Sequence, residues 1–414
     1  MAKVKGFKSI RPRKDLVSNI AALPYDVFNT EEAKIEVKKE PKSFLSIDRA
    51  ETQFETPIDI HHPKVYEKAH DRLWSMVEDG EFVQDQTESF YIYELTMSGR
   101  TQTGLVACVS IDDYLNEIVK KHENTREDKE VDRINHVYYC NAQTGPIFLA
   151  YPSNEQVNNI INEGKANKPL YDFTSADGVT HRVWMIDGSD QIKEMEQIFT
   201  KVDSLYIADG HHRAASAVKV GLRKREEHPN YTGEEEFNYF LSVLFPDNEL
   251  AILDYNRVVK DLNGLSKDEF LQKVEKAFII EEMGTEPVSP TKKGEMGMFL
   301  DHLWYKITVK SEYLSKDPVQ GLDVSILQDQ ILSPILTIGD PKTDQRIDFV
   351  GGIRGLSELE KRVSEDCEVA FSMYPTSIEE LFLVADAGLL MPPKSTWFEP
   401  KLRSGLFIHS LKDK

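Results

Sequence analysis

The sequence predicts an α+β fold, with mixed, largely antiparallel sheets and flanking helices. Three observations carry that expectation. Apolar runs of strand length come in pairs around tight turns: Phe90–Met97 and Thr103–Ile111 flank Ser98-Gly99-Arg100, while Leu170–Phe173 and His181–Ile186 flank Asp177-Gly178. Helical patterns fall between such pairs instead of after every strand, so the βαβ alternation of a doubly wound sheet is missing. One short apolar run, Leu205–Ala208, breaks at Asp209-Gly210. It passes into Ala214, Ala215, Ala217 and Val218, residues that suit a closely packed helix.

Along the chain, Pro24 favours extended backbone before it, and Asn29 or Thr30 caps a helix start. Ile60–Val77 reads as an amphipathic helix stopped near Gly80. A charged segment, Glu117–Arg133, leads into a helix and then the apolar strand Pro146–Tyr151. Ile192–Phe199 is a short helix feeding the Leu205 strand. The polar stretch Arg223–Glu236, with Pro229 and Gly233, is the expected linker. Beyond it, Tyr239–Phe245 and Leu250–Asp254 form a further hairpin pattern, and Phe270–Phe278 is helical. Strands follow at Phe299, Trp304–Val309, Ile347–Val350 and Val369–Phe371. Helices cover Val324–Leu332 and Ile378–Ala387, and Leu406–His409 is a last strand.

The 414 residues carry 50 basic and 70 acidic side chains, a net charge of −20. Such a surface argues against non-specific nucleic-acid binding, which rests on phosphate neutralisation, but leaves room for a local basic site. Cys108, Cys140 and Cys367 lie far apart without zinc spacing, a sparse, odd set that fits a reducing cytoplasm. No apolar stretch approaches the roughly 20 residues of a membrane helix, and the basic N-terminus lacks an apolar signal core.

The densest chemistry is Asp209-Gly-His-His-Arg213. A turn feeding a helix N-terminus presents backbone N–H groups to an anion, and Arg213 adds a charge-assisted donor. Asp209 could hold a divalent metal or orient a histidine. The plainer alternative is a capped helix with structural histidines, and the crowding of the cluster weighs against it. His122-Glu123, close to Thr125, offers Glu123 as a general base; without a second histidine at HExxH spacing it is no zincin, and a solvated charged helix is the other reading. Asp26, beside Pro24, is an Asx-turn residue or a ligand for a metal or substrate hydroxyl. Near the C-terminus, Lys394, Lys401 and Arg403 interleave with Ser395, Thr396 and Ser404, donors that suit phosphate or carboxylate. The alternative there is a surface turn. Walker A, Rossmann and GxSxG patterns are absent.

Ile207–Ala217 resembles the signature of the ParB/sulfiredoxin-like superfamily, and its Asp-Gly-His-His-Arg form looks most like the free serine kinases. Over nearly its full length the chain also resembles a bacterial and archaeal family catalogued as a domain of unknown function. The matching marks are Pro24-Tyr-Asp-Val27, His122-Glu123 with Thr125, the Asp209–Arg213 stretch, Leu322–Ile326, Pro393–Thr396, Pro400-Lys401 and Ser404-Gly405. The resemblance implies a ParB/sulfiredoxin-like nucleotide-binding lobe over residues 1–235 and an α+β lobe over 236–414 that contributes the Lys-Ser-Thr anion site. It implies a cytoplasmic phosphotransferase using ATP or ADP with Mg²⁺ on a small hydroxy-amino acid, serine or phosphoserine foremost. In that reading Gly210, His211, His212 and Arg213 hold nucleotide phosphates, and Asp209 binds Mg²⁺ or polarises a histidine. Glu123, or Asp26 as second choice, takes the hydroxyl proton, with His212 beside them in the catalytic group. His122, Thr125, Lys394, Ser395, Thr396, Lys401, Arg403 and Ser404 contact the substrate. The expected partners are thus a small molecule and a nucleotide, with neither membrane nor nucleic acid, and a homodimer is compatible with the reading. Two alternatives stay open: a nucleotide-responsive binding protein without turnover, and a metal-dependent phosphatase using His122, Asp209, His211 and His212.

Overall fold

The computed structural model describes residues 1–125 and 127–412. It divides into two compact units: Met1–Leu250 together with Pro400–Lys414, and Ala251–Glu399.

The first unit is built on a nine-stranded sheet. Its strands are β1 (Val4–Lys5), β2 (Phe90–Met97), β3 (Arg100–Ser110), β4 (Val119–Lys120), β5 (Ile147–Tyr151), β6 (Tyr171–Thr174), β7 (Thr180–Ile186), β8 (Leu205–Asp209) and β9 (Tyr239–Pro246). The order is β4-β8-β5-β9-β3-β2-β7-β6, with β1 added alongside β3. Only β4/β8 and β5/β9 run parallel; the remaining pairs are antiparallel, as the hairpin-rich pattern predicts. Tyr91, Ile92 and Tyr93 of β2 and Leu105–Val109 of β3 are fully buried. Both faces of these strands are therefore covered, which is why they read as continuous apolar runs without alternation.

The unit's helices include α1 (Thr30–Lys39), α2 (Pro63–Glu78), α3 (Glu127–Cys140), α4 (Glu155–Lys165), α5 (Ser189–Phe199) and α6 (His211–Glu227). Asn29 starts α1 with a reciprocal capping box to Glu32, satisfying two otherwise orphaned amides. One core joins Ile92, Leu105, Leu149, Ile207 and Leu244 of the sheet to Ile160 of α4, Ile198 of α5 and Ala214 of α6. A second gathers Phe44, Leu73 and Met76 with Cys140 and Ile408.

Three sequence expectations change around the boundary between the units. The break between units falls at Leu250/Ala251, where a boundary at 235/236 was expected. The physical reason is β9: it is buried along its whole length and hydrogen-bonded on both sides, to β3 and β5. The C-terminal segment also returns to the first unit. Ile10 and Ile408 exchange backbone bonds of 3.0 and 2.9 Å, and Ser404 donates to Ala22 at 2.9 Å. Second, Tyr239–Phe245 and Leu250–Asp254 form no hairpin, because Ile252–Leu253 pairs with Trp397–Phe398. Third, α6 runs through Glu227, so the polar linker stretch opens as the exposed last turns of a helix.

The second unit carries a six-stranded, wholly antiparallel sheet. Its strands are β10 (Tyr255–Val259), β11 (Phe278–Gly284), β12 (Glu295–Leu300), β13 (Leu303–Val309), β14 (Ile347–Gly351) and β15 (Val369–Ser372), in the order β11-β13-β12-β15-β10-β14. Flanking helices include α7 (Lys267–Val274), α8 (Leu356–Glu365) and α9 (Ile378–Asp386). The expected helix to Phe278 stops at Val274, and Phe278 opens β11 instead. Leu359 of α8 packs on Val258, Phe299, Trp304 and Ala370.

Candidate functional site

Parallel pairing of β4 with β8 puts the carboxyl ends of both strands at one end of the sheet. His122-Glu123 follows β4 there, and Gly210 follows β8; Gly145-Pro146, at the start of antiparallel β5, reaches the same end. Ligands of open sheets gather at such ends. Gly210 has φ +93° and no side chain caps α6 behind it. A Cβ on Gly210 would stand 3.0 Å from Arg213 Nε and 3.1 Å from Cζ. The turn thus needs glycine twice, for its backbone and for the guanidinium folded against it. Arg213 donates to the Pro146 carbonyl at 2.5 Å and to Asp209 Oδ2 at 2.8 Å. Lys401 Nζ stands 3.8 Å from the other oxygen of Asp209.

Behind the turn, the rings of His122 and His211 meet edge to face at 4.5 Å. The His122 backbone N–H donates to His211 Nε2 at 3.4 Å, so that nitrogen carries no proton. Burial drives His211 well below the ordinary imidazole range and pulls His122 down to about 4. The Ile207 backbone tempers this without meeting hydrogen-bond geometry at either buried nitrogen of His122. Both histidines are therefore neutral at pH 7, which limits them to polar or proton-accepting roles.

Thr125 and His212 lie near Glu130 on α3. The Thr125 hydroxyl and the Lys219 ammonium both donate to Glu130 on α3. Burial works to raise the Glu130 pKa, but Lys219, Thr125 and nearby His212 outweigh it and hold the group ionised. Glu123 is half-buried in the loop after β4, and Asp26 is exposed.

A pocket of about 480 Å³, its open mouth included, lies beside Arg213. Its lining includes Tyr25, Asp48, Arg133, His136, Thr144 and Ser404. Tyr25 sits on a single 3₁₀ turn, Tyr25–Val27, which follows Pro24. The Arg49 guanidinium clips that turn in place: it donates to the carbonyls of Tyr25 at 3.2 Å and Phe28 at 2.7 Å and to the Thr30 hydroxyl at 3.0 Å, while pairing with Glu51 at 2.6 Å. Burial pushes the Tyr25 phenol up to about 12. Arg133 stacks on the Tyr25 ring at 4.0 Å and pairs with Asp132 at 2.7 Å. Its charge survives burial because Asp132, Tyr25 and Asp48 surround it. Burial and then Arg133 keep His136 neutral; its Nε2 faces the Ile47 carbonyl at 3.1 Å and Asp48 at 3.9 Å.

The structure thus brings Asp209, Gly210, Arg213, Lys401 and Ser404 to one place. Arg403, between the last two, turns away. It is 3% exposed, donates to Ser175 at 3.0 Å and to His181 at 3.3 Å, and pairs with Asp177. His181 stacks between Tyr93 and Phe173, and burial followed by the Arg403 charge lowers it to about 3. Lys394, Ser395 and Thr396 belong to the second unit. There Lys394 has φ +58° and lies 5.6 Å from the Tyr255 ring centre, its carbonyl accepting from Arg257 at 3.0 Å. The Ser395 hydroxyl donates to the Pro392 carbonyl at 2.7 Å. Arg133, Asp48 and Thr144 escaped the sequence reading, since no motif marks them; only the neighbourhood of Glu123 hinted at Arg133. Among the described residues no three or more His, Cys, Asp or Glu side chains converge as a metal site, and no helix is long and apolar enough to cross a membrane.

No curated protein matches the chain in sequence. Among solved structures it is similar to a free serine kinase in complex with AMP, at 15% identity and a TM-score of 0.36, over 73% of this chain and 91% of that one. It is also similar to a C-terminally truncated SbnI from Staphylococcus aureus, at 10% identity and a TM-score of 0.39, over 74% and 89%. A conserved hypothetical protein from Pyrococcus furiosus matches at 14% identity and a TM-score of 0.35, over 73% and 94%. Residues 4–325 match the model of the family described as a protein of unknown function, DUF1015, and the chain belongs to that family.

Proposed function

We propose that the first unit binds a nucleoside polyphosphate, ATP or ADP, and transfers its terminal phosphoryl group to a small hydroxy-amino acid, serine foremost. One observation carries the reading: strand β8 ends in an uncapped glycine turn whose helix N-terminus, Arg213 and Lys401 converge beside a pocket. First-turn amides and the helix dipole favour phosphate oxygens, and Arg213 is already fixed for a charge-assisted bond. The likeness of Asp209–Arg213 to the ParB/sulfiredoxin-like signature points the same way. Mg²⁺ normally takes one or two carboxylates and completes its shell with phosphate and water. Asp209 fits as that single carboxylate, with a side chain 36% exposed.

Phosphoryl transfer asks the protein mainly for positioning and charge. The acceptor hydroxyl oxygen forms a bond to the terminal phosphorus as the bridging P–O bond to the nucleotide breaks. The hydroxyl proton passes to Glu123, with Asp26 as the alternative base. Calorimetry with ADP and ATP, and phosphorus NMR of phosphoserine formation, test this. Arg213→Met lowers nucleotide affinity roughly tenfold or more, the worth of a lost charged hydrogen bond. Glu123→Gln keeps nucleotide affinity and loses turnover. Unchanged turnover in both His212→Ala and Glu123→Gln sinks the assignment, whereas nucleotide binding without product moves the protein to a sensing role.

A further inference from the structure

The pocket beside Arg213 has a charge pattern that a phosphate alone does not explain. Its two guanidinium groups are committed in part: Arg133 to Asp132 and Arg213 to Asp209 and the Pro146 carbonyl. His136 is neutral, its imidazole held below its ordinary range by burial. Asp48, one of the groups that sustain the Arg133 charge, is a carboxylate only 5% exposed. Among the described residues its one hydrogen bond comes from the Thr144 hydroxyl, 3.0 Å from Oδ1, with His136 Nε2 at 3.9 Å. A buried carboxylate needs donors for both oxygens or a cation beside it. The lining therefore sets one buried carboxylate against two guanidinium groups.

We propose that this pocket is the acceptor subsite and takes a small zwitterion, its ammonium group on Asp48 and its carboxylate on the outer edges of Arg133 and Arg213, with the Ser404 hydroxyl beside it. Planar guanidinium edges match a carboxylate in two-point fashion, and an ammonium adds donors to the one that Thr144 gives Asp48. A ligand that carries both an ammonium and a carboxylate fits a lining that offers both signs of charge. The assignment rests on the phosphotransferase reading only for calling the ligand an acceptor; the binding itself stands on the lining.

Calorimetry on the full chain tests it with four probes: L-serine, N-acetyl-L-serine, ethanolamine and ADP. N-Acetylation removes the ammonium and ethanolamine lacks the carboxylate, so each binds the unaltered protein roughly tenfold or more weakly than L-serine. Asp48→Asn weakens L-serine by a similar factor and leaves ADP affinity within about twofold. The inference is overturned by equal affinity for L-serine and N-acetyl-L-serine, a comparison that needs no variant, or by full L-serine affinity in a folded Asp48→Asn protein. L-Serine binding with no ADP binding supports the subsite and removes the phosphotransferase reading, so the two fail separately.

Discussion

Replacing Gly210 by alanine tests the turn at its most constrained point. At φ +93°, ψ 32°, an L-residue with a Cβ is strained by about 1–2 kcal/mol. The new methyl would also sit 3.0 Å from Arg213 Nε and 3.1 Å from Cζ and Nη2, so the guanidinium must move off. Its bond to Asp209 then weakens; as Asp209 is 36% exposed on its side chain, solvent screening holds that loss to about 0.5–1 kcal/mol. Urea denaturation of Gly210→Ala is expected to show a loss of about 2–3 kcal/mol. ADP affinity falls by more than tenfold, because the first-turn amides and Arg213 are displaced together. Gly221→Ala, lower on the same helix, is the control. Its Cβ would meet the Phe237 carbonyl at 2.5 Å and Ile111 Cδ1 at 2.7 Å, a packing clash remote from the turn. It costs stability by roughly 1–3 kcal/mol, and folded protein keeps its ADP affinity. Gly210→Ala with both stability and ADP affinity intact refutes the reasoning.

Arg403→Met removes the partner of Asp177, Ser175 and His181 and is expected to cost about 2 kcal/mol, less than a fully buried pair because Asp177 can rehydrate; ADP affinity, read by calorimetry, stays the same. His181 takes up a proton near 6.5 when unfolded but only near 3 when folded. Between those values the unfolded state binds the extra proton, so this residue's contribution is complete above pH 6.5 and declines below it, by about 2 kcal/mol at pH 5. Denaturation between pH 7 and pH 4 checks this: in His181→Gln the slope loses roughly one proton, and an unchanged slope contradicts it. Arg49→Met frees the turn at Tyr25–Val27, and hydrogen exchange rises at the amides of 25–30 while exchange in β2 and β3 is unaffected; protection equal to the parent protein would remove Arg49 from its clipping role.

Legibility in the sequence followed how local each determinant is. Asp209-Gly210 announced its turn because a glycine after an apolar run is a local backbone requirement, and both hairpins at Ser98-Gly99 and Asp177-Gly178 formed for the same reason. Asp48, Arg133 and Thr144 had no such mark. They lie on separate elements, joined because the short helix Leu45–Asp48 and α3 both pack against α2 and because β5 enters the sheet beside β8. The unit boundary failed for a related reason: a polar helix end at Arg223–Glu227 looks like a linker, while the return of Pro400–Lys414 depends on backbone bonds to Ile10 and Ala22 that no side-chain pattern encodes. The C-terminal run shows the limit most sharply. Lys401, Arg403 and Ser404 look alike as anion donors, yet Lys401 and Ser404 reach the Arg213 neighbourhood while Arg403 is spent on the Asp177 turn. A cluster of donors in sequence therefore counts as a site only residue by residue. Here the outcome is decided by which of them finds a carboxylate already waiting: buried Arg403 cannot leave Asp177 for a ligand without stranding its own charge, whereas Lys401, 3.8 Å from Asp209, remains close enough to exchange that contact for a phosphate.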